Sequence, residues 1–402
     1  MKKRNKILMI GLLTTVLSIN MIKVGSTKIS INRKTYQEGN TNLVLDKILS
    51  DNELKQEIPH MFNYASNGNY TNYDMEALND PNYITEGLYS NVDEDGTTYY
   101  YRGNIKNNNL QFGAYDEDYY VYGGLVEDNS QYYQSQESCQ AAGWGNCSPV
   151  KLASAGDKMY WKIVRVNGDG SLRLMYTWPG MTIVEPIVNP SSFVEEEISG
   201  VIGYAPYNLN DDDPKYTGYT YDNGTDSFVK REIDTWYNNT LGRNSAYDSM
   251  VILGRFCSDS SGYNYDGDGS FASYDRLGQA DFDFAKDNAP TFACPNTSES
   301  YGGSYRLKAG LITADKLAYA GESSYVVGNS YLNPGENGVP YWSMTPAGFD
   351  DGSAFVWGEF GRLSYDRVRN LNGARPVINV TTDNGFASGD GSVENPYILD
   401  VE

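Results

Sequence analysis

Three short apolar runs in the last quarter of the chain, each bounded by polar, glycine-rich turns, most constrain what it can fold into. They are Tyr341 to Pro346 (YWSMTP), Phe355 to Gly358 (FVWG) and Gly373 to Val380 (GARPVINV). Each is too short for a stable helix and carries Trp, Phe, Val or Ile, so the runs predict the strands of one closing sheet. Trp342, Trp357 and Val377 are the expected inward residues. Arg375 stands at the mouth of the third run, where it is expected to anchor a buried ion pair or to cap backbone carbonyls.

The same pattern recurs upstream, and 41 Gly with 35 Tyr suit many turns and half-buried strands. Tyr160 to Val166 (YWKIVRV) and Ser171 to Trp178 (SLRLMYTW) flank Asn167-Gly168-Asp169-Gly170, the clearest hairpin signal in the chain. Glu94-Asp95-Gly96 marks a turn leading into the alternating strand Thr97 to Arg102. Helical spacing is rarer. Val229, Ile233 and Trp236 share one face of a helix predicted over Phe228 to Leu241, capped by Asp226 or Ser227. A second helix is predicted over Ala314 to Ala320, capped by Thr313 and stopped by Gly321. Leu43 to Glu57 carries a weaker helical pattern ended by Pro59. The predicted fold class is α+β: a β-rich body with two or three short helices and long irregular loops. No linker divides it, so residues 86–402 read as a single module after a polar segment at 27–85.

Charge narrows the partners. The 402 residues carry a net charge of −21, and the first 26 hold five cations and no acid, which leaves −26 on the remainder. Such a surface repels phosphate backbones and anionic headgroups, which argues against nucleic-acid and lipid-surface binding. Met1 to Lys6 is basic and Ile7 to Leu17 is apolar, shorter than the ~20 residues of a membrane span. Residues 1–26 therefore read as an export signal, with cleavage after Ser26, or as an N-terminal membrane anchor if uncleaved. Any membrane contact would run through this segment alone, and the expected location is the cell surface or the extracellular space.

Four cysteines in an exported chain suggest disulfides, with three connectivities open. Proximity favours Cys139 with Cys147, leaving Cys257 with Cys294; in the chain-entropy model these would contribute ~2.6 and ~3.9 kcal/mol. Zinc is disfavoured because neither spacing is C-x-x-C and His60 is the only histidine. Asn264, Asp266, Asp268 and Asp275, with Gly269 between, follow a calcium-loop spacing, in which alternate side chains of a curled loop converge on one ion. A solvated acidic turn has the same composition, and Asp211 to Asp213 reads as a solvated charge run. The aromatic clusters at Tyr119, Tyr120 and Tyr122, at Tyr132 and Tyr133, and at Trp144 inside the Cys139–Cys147 interval are candidate ligand-facing residues, since Tyr pairs a rigid apolar ring with a polar tip. Strands with one wet face would use tyrosine equally well. With a single histidine beside Pro59, nucleophilic catalysis of the Ser-His or Cys-His type finds no support, and no catalytic residue is assigned.

Several of these segments together resemble a family of exported proteins from Gram-positive and related gut bacteria. They are Tyr99 to Asn104, Tyr160 to Leu174, Asp234 to Tyr237, Phe256 to Asp259, Pro290 to Thr297, Gly310 to Gly321, Tyr341 to Pro346 and Gly373 to Asn379. Gly391-Ser392 with Asn395-Pro396-Tyr397 completes the series. The resemblance spans roughly residues 43–402 and implies no catalytic role. Its C-terminal part is similar to C-type-lectin-like and formylglycine-generating-enzyme-like modules. That enzyme uses a close cysteine couple near its C-terminus, whereas the last cysteine here is Cys294, so the activity is not implied. The expectation is an exported module, lectin-like in fold, that binds a glycan or protein at the cell surface. A structural envelope or fibre subunit is the alternative.

Overall fold

The hairpin expected around Asn167–Gly170 forms the middle of the largest sheet in the computed structural model. The structure describes residues 42–55, 86–124, 131–179, 200–222, 224–262, 269–277, 290–294, 303–322, 330–333 and 339–401. Strands Lys158–Val166 and Leu172–Trp178 pair antiparallel across this turn, and Gly170 takes a φ of 87°, which glycine adopts without strain. Leu172–Trp178 is buried along its whole length, Arg173 and Thr177 included, so burial does not alternate along it. The nine-stranded sheet continues on one side to Val377–Val380 and Ala309–Gly310. On the other it continues to Asn109–Ala114, Tyr397–Leu399 and Phe386–Ser388, and the hairpin Gly87–Asp93/Gly96–Arg102 joins at Lys158–Val166.

A second, six-stranded sheet orders Leu363–Arg367, Ser353–Glu359, Tyr341–Asp350, Leu371–Ala374 and Gly203–Pro206, with Gly269–Ser270 paired to Tyr341–Asp350. Three smaller sheets complete the described strands. Among the described residues strand exceeds helix, 41% to 20%, and all but two of the pairings between strands are antiparallel. This is an α+β arrangement, because parallel sheets with helical crossovers would dominate in the doubly wound alternative.

The three C-terminal runs do not form one closing sheet. Tyr341–Asp350 and Ser353–Glu359 pair as expected, but the third run breaks at Arg375-Pro376. Leu371–Ala374 lies in the six-stranded sheet and Val377–Val380 in the nine-stranded one. Proline has no N–H to donate to a ladder, so Pro376 suits the step between sheets. Trp342, Trp357 and Val377 are buried as predicted.

Helix Phe228–Asn239 buries Val229, Ile233 and Trp236 against the large sheet's aromatic core, where Trp236 packs on Trp161 and Tyr176. Trp236 Nε1 donates to Tyr115 Oη at 3.2 Å, so the indole buries its polar edge satisfied. Its cap is Ser227, wholly buried, whose Oγ accepts the Lys230 N–H at 3.2 Å. Ser227→Ala is expected to lower stability by about 1 kcal/mol, read as a shifted urea midpoint with unchanged slope. Helix Ala314–Ala320 is capped by Thr313 and ends at Gly321, whose φ is 118°. The N-terminal helix is shorter than predicted, Leu43–Asp51, because the chain turns extended at Asn52 and Leu54 bridges to Leu88. It buries Val44, Leu45 and Ile48 in the same core as the body. Three further helices, Gln136–Ala141, Ser245–Met250 and Ala272–Leu277, span six residues each and escaped the periodicity reading. Among the described residues no helix is long and apolar enough to cross a membrane.

Candidate functional site

The aromatic candidates converge on the three-stranded sheet of Gln131–Tyr133, Tyr119–Gly124 and Cys147–Ala153. Along Tyr119–Gly124 the faces alternate, as strand geometry requires. Tyr119 and Val121 are buried, Tyr120 is 44% exposed, and Tyr122 is half-buried. The Cys139–Cys147 disulfide ties the short helix Gln136–Ala141 to the start of Cys147–Ala153, closing the loop that carries Trp144. Tyr122 and half-buried Trp144 both pack against the buried cluster of Tyr133, Cys139, Cys147, Ala205 and Phe228, and Trp144 Nε1 donates to Tyr133 Oη at 3.2 Å. Tyr120, two positions before Tyr122, lies on the same face of its strand.

Three of the predicted ligand-facing residues belong elsewhere. Tyr119, Tyr132 and Tyr133 are core residues. Tyr119 Oη donates to Gln134 Oε1 at 2.8 Å, and Tyr133 meets Phe228 edge-on. Their rings are buried, which leaves Tyr120, Tyr122 and Trp144 as the outward set. Of the calcium-loop residues, Asn264, Asp266 and Asp268 lie outside the described residues, as does His60. Asp275 falls in helix Ala272–Leu277. Among the described residues no group of three or more His, Cys, Asp or Glu is placed to hold a metal ion.

A second feature arises from the large sheet. The hairpin register sets Arg165 directly opposite Arg173, two like charges in one cross-strand pair. Both are buried. They line a cavity of about 20 Å³ together with Asn167, Asn379, Lys316, Phe292 and the Cys257–Cys294 disulfide. Arg165 Nη1 reaches Asp93 Oδ2 at 3.1 Å and its guanidinium lies over Phe292. Arg173 Nε donates to Asn379 Oδ1 at 3.0 Å, its Nη2 to the Arg255 carbonyl, and its guanidinium stacks over Phe256. Lys316, from helix Ala314–Ala320, is 4% exposed and donates to Thr313 Oγ1 at 3.2 Å. Burial, then the charges of Arg173 and Arg165, hold the Lys316 ammonium well below its usual range. Burial, then Arg165, does the same to Arg173.

Arg375 sits at the step between the two large sheets and caps backbone carbonyls, one of its two predicted roles. Its Nε donates to the Tyr176 carbonyl at 2.8 Å and its Nη1 to the Leu332 carbonyl at 3.1 Å, with the guanidinium 5.0 Å from the Tyr341 ring centroid. Near it lie two carboxyls that sequence reasoning missed, Glu322 and Glu359, both fully buried. Burial raises both above the ordinary carboxylate range, and the charge of Glu322 raises Glu359 further, while Arg375 opposes it. The signals were faint. Glu359 merely ends an apolar run and Glu322 merely follows a helix stop, whereas the arginines inside YWKIVRV and SLRLMYTW were visible as charges in apolar strands.

All four cysteines are paired, Cys139 with Cys147 and Cys257 with Cys294, so no reduced couple remains for formylglycine-generating chemistry. Comparison of the chain with protein-family models, with curated proteins and with solved structures finds no match.

Proposed function

We propose that the chain is an exported recognition or display module, lectin-like in fold, that binds a glycan or a protein at the cell surface. The observation that carries this reading is the outward set on the three-stranded sheet: Tyr120, Tyr122 and Trp144 held beside a disulfide-closed loop. Rigid aromatic rings on a pinned scaffold lose little side-chain entropy on binding, and their polar edges suit sugar hydroxyls or peptide groups. The basic, apolar start of the chain and its two disulfides support export.

The test is a glycan and host-protein binding screen of the full chain beside Tyr120→Ala. Tyr120 is exposed, so its loss leaves the core intact. At least a tenfold weaker binding of the strongest hit is expected, matching the ~1.4 kcal/mol or more that a buried interface aromatic supplies. A screen with nothing above background, or a hit indifferent to Tyr120, rejects the reading.

A further inference from the structure

The cavity between Arg165, Arg173 and Lys316 has a charge balance that the protein itself does not close. Four carboxylates line it, and each has other partners. Asp93 accepts from Arg165 and from the N–H groups of Asp95, Gly96 and Gly168. Asp95 faces Arg255 at 3.4 Å, Asp169 accepts from the N–H and Oγ of Ser171, and Glu94 accepts from the Cys294 N–H. Glu94, Asp95 and Asp169 are exposed at the rim, whereas Arg165, Arg173 and Lys316 are the buried cations. Among the described residues no carboxylate forms an ion pair with Arg173 or Lys316.

Hydrogen-bond capacity is equally one-sided. Of the residues lining the cavity, Arg165 Nε, Arg173 Nη1, Arg255 Nε and Asn379 Nδ2 are buried donors without partners, against one such acceptor, Asn167 Oδ1. Leaving a buried charged donor unmade is costly. A water molecule would accept only two of these bonds and would leave the positive charge uncompensated. A cation would be repelled. The cavity, about 20 Å³, has room for about one water-sized particle, too little to enclose a tetrahedral oxyanion.

We infer that this cavity is a binding site for a small monatomic anion of the halide class, held by Arg173 and Lys316 with Asn379 and Arg165 alongside. The ion neutralises the like-charge pair that the hairpin register creates and so ties helix Ala314–Ala320 to the large sheet. The site is buried and independent of the surface aromatic set, so it goes beyond the recognition reading and does not rest on it.

The test is the thermal stability of the full chain in sodium chloride against sodium gluconate, at one ionic strength and neutral pH. A saturable rise of about 2–4 °C in Tm with chloride is expected, because a ligand that binds only the folded state stabilises it by mass action. Arg173→Gln should abolish the chloride response. If that variant fails to fold, Lys316→Met serves instead: it removes one of the repelling charges, so its Tm in gluconate should match or exceed the wild type and its chloride response should shrink. Crystals grown in bromide should show an anomalous peak between Arg173 and Lys316. Equal wild-type Tm values in the two salts, or bromide peaks confined to the surface, would overturn the assignment.

Discussion

Replacing Arg375 by methionine is expected to lower stability by about 3–5 kcal/mol, the cost of breaking one side of a buried charged network. Methionine keeps an unbranched stem as far as the Nε position, so the loss reports chiefly the missing guanidinium. Three consequences add. The Tyr176 carbonyl, whose own residue's N–H donates to the Pro376 carbonyl at 2.8 Å, loses the Nε donor. The Leu332 carbonyl loses Nη1 and keeps the Tyr341 hydroxyl, at 2.9 Å. Glu359 loses the one cation whose charge lowers its proton affinity. Arg375→Lys should recover little, because a single ammonium cannot reproduce a planar fork spanning two carbonyls. The control is Arg243→Met, which removes an exposed pair with Glu117 and should cost less than about 1 kcal/mol. Urea unfolding of the three variants decides the matter; equal losses for Arg375→Met and Arg243→Met would deny Arg375 its structural role.

That role shows how much of this molecule was legible in its sequence. The run Gly373 to Val380 was readable as strand, and Arg375 as a buried anchor, but the step between sheets was not. Sequence period reports which face of a segment is apolar; it carries no record of which sheet the segment joins. Local signals did well where one mechanism decided. Thr313 and Gly321 bounded a helix because cap and left-handed stop are both local, and Asn167 to Gly170 closed a hairpin for the same reason. Tyrosine was ambiguous by nature. Tyr119 and Tyr120 are adjacent and chemically identical, yet one hydrogen-bonds Gln134 in the core and the other meets solvent. Only strand pairing separates them. The charged cavity was half-visible: Arg165 and Arg173 stood out within apolar runs, but Lys316 and Asn379 come from 143 and 206 residues beyond Arg173 and are joined to it only by the fold.

The buried pair Glu322 and Glu359 carries the second large expectation: the protein should lose stability as pH rises from the acidic range into the alkaline. Desolvation pushes both carboxyls far above the 4.5 of an unfolded glutamate, and the proximity of Glu322 adds to the effect at Glu359. Glu232, buried on helix Phe228–Asn239, is displaced the same way, to about 7, chiefly by burial. In each case the folded state holds a proton that the unfolded state releases above pH 4.5. The stability contribution of these groups is therefore complete below that pH and is lost progressively as pH climbs through the folded values, to about 7 for Glu232 and further for the pair. Glu359→Gln keeps the shape and the hydrogen-bonding reach while removing the titration. It should be close to neutral at pH 4.5 and stabilising by about 3 kcal/mol at pH 9, where the wild-type pair must either hold two displaced protons or bury charge. Exposed carboxylates held low by partners, such as Asp118 beside Lys151, act in the opposite direction but are solvated, and they contribute equally to both proteins. Denaturant unfolding at pH 4.5, 7 and 9 gives the comparison. If the variant and wild-type stability curves run parallel across that range, the two carboxyls titrate normally and the buried pair does not set the pH response.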